Sequence, residues 1–185
     1  MWEKIDTSIE GLYILNPFFS EDNRGNFVKI FEKDVYDSIQ LPNETNEIFI
    51  TKSKPFVVRG MHFQYQNPQT KFVSVMKGRI FDVAIDLRTN SATFGKWYSV
   101  ELSEDNHKIF AIPAGFAHGF QVVSDENALV VYQCIGKYDK ESDAGIRWND
   151  KEIGIDWPLK EKCIVSERDS EQMTFKTFKE TIKGL

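Results

Sequence analysis

Short runs of alternating apolar and polar residues, broken by Gly, Pro, Asn or Asp, recur along this chain. A period of two marks strands with one buried face. The clearest run is Lys71–Leu87, KFVSVMKGRIFDVAIDL. In it Phe72, Ser74 and Met76 alternate with Val73 and Val75, and after Lys77-Gly78 the residues Phe81, Val83, Ile85 and Leu87 face one way while Asp82 and Asp86 face the other. Gly78 accepts positive φ, so the run predicts a hairpin turning at Lys77-Gly78. Further strands are predicted at Asn46–Ser53, Val57–Gln64, Thr93–Leu102, Lys108–Ile112, Ala117–Val123 and Ala128–Ile135. Glu32–Ile39 reads as a short helix, and the tail after Glu171 as helical or loosely ordered. Many short strands at regular intervals predict an all-β sandwich or barrel, a jelly roll with a few short helices.

Length and charge narrow the class. A chain of 185 residues predicts one domain over 1–185, with a core at about 11–169 and a polar tail at 171–185. No linker, repeat or low-complexity tract interrupts it. Aromatic residues reach 14%, with 15 Phe, in keeping with strands rather than long helices. No run is apolar for the ~18 residues a membrane span needs, and MWEKIDTSIEG lacks the pattern of a signal peptide. A cytoplasmic location is therefore expected. The net charge of −5 argues against a protein that grips nucleic acid through its phosphates. It leaves room for a small anionic ligand held by two or three arginines. Cys134 and Cys163 form no metal spacing and no disulfide framework.

The three histidines sit in different settings. His62, in Val57-Val58-Arg59-Gly60-Met61-His62-Phe63-Gln64, shares a strand face with Gly60 and Gln64, a polar face bordered by Arg59. His118 follows a Pro113-Ala114-Gly115 turn that aims its ring. His107 lies in a polar turn and reads as surface. Small-barrel metal sites commonly pair two histidines around one residue with a carboxylate soon after and a third histidine later; here Gly60 and Gln64 flank His62, so no metal is expected. Lys71, Tyr132 and the Glu167-Arg168-Asp169 run supply the other ionisable groups. Each alone also fits a structural part: a solvated lysine, a core tyrosine, a surface acid. Together with a histidine they make a set for removing a proton beside a carbonyl, with a base, a partner carboxylate, a cation for the enolate and a phenol to return a proton.

Several collinear motifs then resemble one family. They are Arg59-Gly60-Met61-His62-Phe63-Gln64, Lys71, Gly78–Arg88, Thr93-Phe94-Gly95-Lys96-Trp97, Ile112–Phe120, Gly145–Asp150, Gly154-Ile155-Asp156-Trp157-Pro158 and Val165-Ser166-Glu167-Arg168-Asp169. From about Gly11 to Asp169 the chain resembles the dTDP-4-dehydrorhamnose 3,5-epimerases. The resemblance implies a cupin-type jelly roll, a homodimer, no metal or organic cofactor, and a nucleotide-diphosphate sugar substrate bearing a C4 ketone. It implies His62 as general base oriented by Asp169, Tyr132 as acid on the opposite face of the sugar, and Lys71 holding the enolate oxygen. Arg24 and Arg59 would grip the diphosphate, and His118, Tyr138, Asp143 and Arg168 would line the substrate site.

The chain also departs from the family pattern. Lys29 stands where a Glu is usual, and Phe49-Ile50-Thr51 stand near the usual Gln-Asp-Asn. The nucleotide base, the sugar and the number of inverted carbons therefore stay open. A mono-epimerase acting at C3 or C5 alone would share every catalytic residue, and a non-catalytic sugar-nucleotide binding cupin would need neither base nor acid.

Overall fold

The computed structural model describes residues 2–185. The first half of the chain forms β1 (Glu3–Asp6), β2 (Tyr13–Asn16), β3 (Phe18–Asp22), β4 (Gly25–Lys29), helix α1 (Lys33–Ser38), β5 (Glu47–Ser53), β6 (Val58–Gln64), β7 (Thr70–Lys77) and β8 (Arg79–Asp86). Then come β9 (Trp97–Ser103), β10 (Ile109–Ile112), β11 (Phe116–Val122), β12 (Ala128–Ile135), β13 (Asp143–Gly145), α2 (Glu167–Ser170) and α3 (Phe175–Thr181). One sheet has the order β1-β2-β10-β7-β12-β5 and the other β13-β6-β11-β8-β9, while β3 and β4 form a separate ribbon. Neighbouring strands within both sheets pair antiparallel. This is the jelly roll of the cupin class.

Alternation along the strands builds the packing. Val73, Val75, Val130 and Tyr132 from the first sheet meet Ile80, Ala84, Phe120 and Val122 from the second in a shared core. The outer face of the second sheet carries Met61, Phe63, Val83, Ile85 and Leu87. Residues 171–185 cover that face: α3 buries Phe175 and Phe178 against it, and Leu185 pairs its backbone with Leu87. Full burial of one such Phe contributes about 1.5–3 kcal/mol. The outer face of the first sheet receives α1, whose Tyr36 packs beside Leu15 and Phe72.

The predicted hairpin at Lys77-Gly78 is corrected. Gly78 does take positive φ, at 74°, but β7 and β8 belong to different sheets. The chain reverses there and crosses from one wall to the other. The face assignment in β8 holds, yet its polar face is not solvent-exposed: Asp82 and Asp86 are both fully buried.

The β6–β11 pair is irregular. His62 lies opposite His118 and Arg59 opposite Phe120, so β6 spends three steps where β11 spends two. Such a bulge shifts the side-chain phase, and it puts Val58 and Met61 together in the outer core. It depends on Gly60, at φ 125°, which passes Gly119 so closely that an added Cβ would lie 2.6 Å from the Gly119 Cα.

Candidate active site

Between the sheets opens a cleft of about 340 Å³. His62 from β6, Lys71 from β7, Tyr138 and Asp143 from the segment around β13, and Arg168 from α2 line it, with Glu47 and Phe49 of edge strand β5 on one side. Five of the residues singled out in the sequence thus meet in one place.

His62 is held by α2. Ser166 caps this helix by accepting from the Asp169 N–H, which turns the Asp169 carboxylate toward β6. Asp169 Oδ1 lies 2.7 Å from His62 Nε2, and Oδ2 accepts from the Gly60 backbone N–H at 3.1 Å. Burial pushes the Asp169 carboxyl up, but the hydrogen bond and charge of His62 and the Gly60 N–H outweigh it and hold it below its ordinary value. An ionised Asp169 accepts the Nε2–H, which leaves His62 Nδ1 free to take a proton. The His62 side chain is 30% exposed.

Tyr132 comes from the opposite wall, on β12. It is buried, and burial, reinforced by the nearby Asp82 charge, pushes its phenol well above the ordinary value. It therefore stays protonated at neutral pH. Phe49 lies opposite it in register and stacks on its ring, with centroids 4.7 Å apart and planes 13° from parallel. His118 meets the same ring in a T-shaped arrangement, with centroids 5.7 Å apart. His118 is the register partner of His62, so the two walls are joined through this ring.

Lys71 makes no ion pair within 4 Å among the described residues. Burial lowers its ammonium below the ordinary lysine value, while the charges of Asp143, Asp82 and Glu47 pull the other way. Asp143 Oδ2 accepts from Tyr138 at 2.9 Å and from Arg168 at 2.7 Å. Arg59 donates its Nε–H to Ser53 Oγ at 2.9 Å, and its charge reaches Tyr132.

Of the other five candidates, Tyr132, Arg59 and Asp169 do not line the cleft themselves but contact Phe49, Ser53 and His62, and two fall elsewhere. Arg24 sits at the tip of the β3–β4 ribbon, paired with Asp22 at 2.6 Å and 85% exposed; within one chain it does not reach the cleft. His118 is buried behind the cleft lining, its Nε2 2.7 Å from Asp82 Oδ1. Asp82 and Glu47 were not among the sequence candidates. The signal for Asp82 was present: an acid on a strand whose other face is wholly apolar. Among the described residues, no three His, Cys, Asp or Glu side chains are grouped to hold a metal ion.

Comparison with known proteins starts from this geometry. The family profile described as dTDP-4-dehydrorhamnose 3,5-epimerase matches residues 6–177. This chain belongs to that family. The dTDP-4-dehydrorhamnose 3,5-epimerase of Methanothermobacter thermautotrophicus is 45% identical over 167 residues, 89% of this chain and 90% of that one. A crystal structure from Legionella pneumophila, an epimerase in complex with dTDP-4-keto-L-rhamnose, superimposes with a TM-score of 0.94 at 37% identity, covering 98% of this chain and 97% of the other. The dTDP-4-dehydrorhamnose 3-epimerase of Streptomyces niveus is 34% identical over 167 residues, covering 89% of this chain and 80% of its own length. This member of the epimerase family shares its two-sheet frame with the Legionella structure. The two stretches expected to depart from the family pattern lie on β4 and β5: Lys29 pairs with Glu32 at 2.9 Å, and Phe49 occupies the cleft wall beside Tyr132.

Proposed function

We propose that this chain inverts C3 and C5 of dTDP-4-dehydro-6-deoxy-D-glucose, giving dTDP-4-dehydro-L-rhamnose. His62 Nδ1 removes the proton α to the C4 ketone, and Asp169 stabilises the imidazolium that results. Lys71 holds the enolate oxygen. Tyr132 delivers a proton to the opposite face of the ring, which inversion requires, because a base returning its own proton restores the original centre. The imidazolium then loses its proton to solvent and the phenolate regains one, and after the sugar turns a second round inverts the other carbon. Arg59, joined by Arg24 from a second copy, holds the diphosphate, for which the planar guanidinium fork suits, and Arg168 lines the substrate site.

The observation that carries this reading is the pairing of an oriented, partly open imidazole on one wall with a buried, protonated phenol on the other. The test is incubation with dTDP-4-dehydro-6-deoxy-D-glucose in deuterium oxide, followed by proton NMR at C3 and C5. Deuterium at both carbons with the L-rhamno product supports it; no exchange at either carbon overturns it. The 3-epimerase from Streptomyces niveus favours one second reading, inversion at C3 alone, which deuterium confined to C3 would establish.

The reading extends to a homodimer working in the cytoplasm. Ile48 and Ile50 on β5 are 63% and 64% exposed, and Phe18, Phe19 and Phe27 on the ribbon are exposed as well. A second copy covering such surfaces accounts for them. It also gives Arg24 a role, since Arg24 does not line the cleft of its own chain.

A further inference from the structure

We propose that Asp82 is a positioning residue that aims Tyr132, acting through the ring of His118. The inference rests on the epimerase reading and deepens it. Asp82 lies on β8 and is fully buried. Its only side-chain hydrogen bond among the described residues is to His118 on neighbouring β11, with Oδ1 2.7 Å from Nε2. Its other oxygen, Oδ2, is buried with no hydrogen-bond partner. A carboxylate that gives up water and leaves one oxygen unpaired contributes little to stability, so structural cement does not explain it.

Orientation does. The terminal torsion of a histidine is broad and two-fold, and a short hydrogen bond at Nε2 selects one setting of the ring. That setting brings His118 edge-on to Tyr132, with centroids 5.7 Å apart and planes at 73°. Phe49 stacks on the same ring at 4.7 Å. The phenol ring thus has two aromatic neighbours, and only one of them is fixed by a buried carboxylate. Phe49 sits on an edge strand and is 41% exposed, so the firm neighbour is His118. The pair repeats the chemistry of His62–Asp169 one strand away, but its imidazole is 4% exposed against 30% for His62. A sealed imidazole suits holding rather than proton exchange with a substrate.

The reaction then divides. Proton removal by His62 does not need Tyr132 in its exact place, whereas inversion does. The experiment compares wild type, Asp82→Asn, Asp82→Leu and Tyr132→Phe with dTDP-4-dehydro-6-deoxy-D-glucose in deuterium oxide, reading deuterium wash-in and product inversion separately. A misplacement of ~1 Å costs about 10²-fold, so Asp82→Leu is expected to lose inversion by about that factor while wash-in and KM stay within about 3-fold of wild type. Asp82→Asn keeps an acceptor for Nε2–H and is expected to fall between wild type and Asp82→Leu. If Asp82→Leu does not fold, Asp82→Asn carries the test through the same shift in the ratio of inversion to wash-in. A ratio equal to wild type in the folded variants overturns the inference, whether both rates fall together or neither does. Wild type without wash-in or inversion would instead overturn the epimerase reading itself.

Discussion

Asp169 reaches His62 across 107 residues of sequence, with one carboxylate oxygen 2.7 Å from Nε2 and the other on the backbone N–H of Gly60. The same carboxylate orients the ring and braces the bulge that presents it. Asp169→Asn is expected to lower kcat by about 10²-fold, and His62→Ala by more, with solvent exchange and inversion lost together. NMR in deuterium oxide measures both rates at once; unchanged exchange in His62→Ala would remove that residue from the mechanism.

Tyr132→Phe keeps the ring packed against Phe49 and His118 and deletes only the hydroxyl. Inversion is expected to fall by about 10²-fold while deuterium wash-in at C3 persists. Equal loss of the two rates would show that the phenol does not act on the far face.

Lys71 must carry its proton to hold an enolate. Burial moves its titration below the ordinary lysine value, so the charge is lost as pH rises through that lowered value. The alkaline limb of kcat is expected below the range of a free lysine. Lys71→Arg stays charged throughout and is expected to extend that limb upward at reduced kcat, whereas Lys71→Met is expected to lose about 10²-fold wherever wild-type Lys71 is charged and to lack that alkaline limb. A pH–rate series on the three proteins checks the assignment.

Asp86 supplies an acid-stability prediction away from the cleft. Burial raises its carboxyl, but hydrogen bonds from Arg88, Ser91 and Thr93 outweigh this and bring it from 3.8 to about 2. A carboxylate lowered in the folded state stabilises fully above its unfolded value and loses that contribution as pH falls toward the folded one. The network is expected to contribute about 2 kcal/mol at neutral pH, fading between about pH 4 and 2. Urea unfolding of wild type and Asp86→Asn across that range reads the difference directly.

Gly60→Ala would place a methyl 2.6 Å from the Gly119 Cα and 2.9 Å from the His118 carbonyl oxygen, at a φ of 125°. Both strand backbones would have to part. A loss of about 3 kcal/mol is expected, read as a lower melting temperature, with the His62–Asp169 geometry disturbed as well. Wild-type stability in this variant would mean that the bulge is compliant.

Much of this architecture is legible in the residues, because alternation in segments such as Ala128–Ile135 survives whatever the partners are. Partner choice is not. Gly78 announces a reversal, and a reversal joins strands of one sheet or of two with the same local chemistry. Nor does alternation say whether a polar face meets water: Asp82 and Asp86 look like a solvent side until the second sheet closes over them. Phe175 and Phe178 stand among lysines and threonines, too few to announce a buried helix face, yet both are sealed against β-strands distant in sequence. Among site residues, His62, Lys71 and Asp169 follow from motif and spacing. Arg24 shows the limit, since a motif gives a residue's chemistry and not which surface it will serve.

The two ends of the proposed proton path belong to different walls: the imidazole is anchored in one sheet and the phenol in the other. Their separation is therefore a property of the hydrophobic filling between the walls, above all Phe110, Phe120 and their neighbours. Enlarging or trimming that filling would change how far apart donor and acceptor stand without altering either one. Stereochemical fidelity in this protein becomes a matter of core volume, and variants far from the sugar are where it should drift.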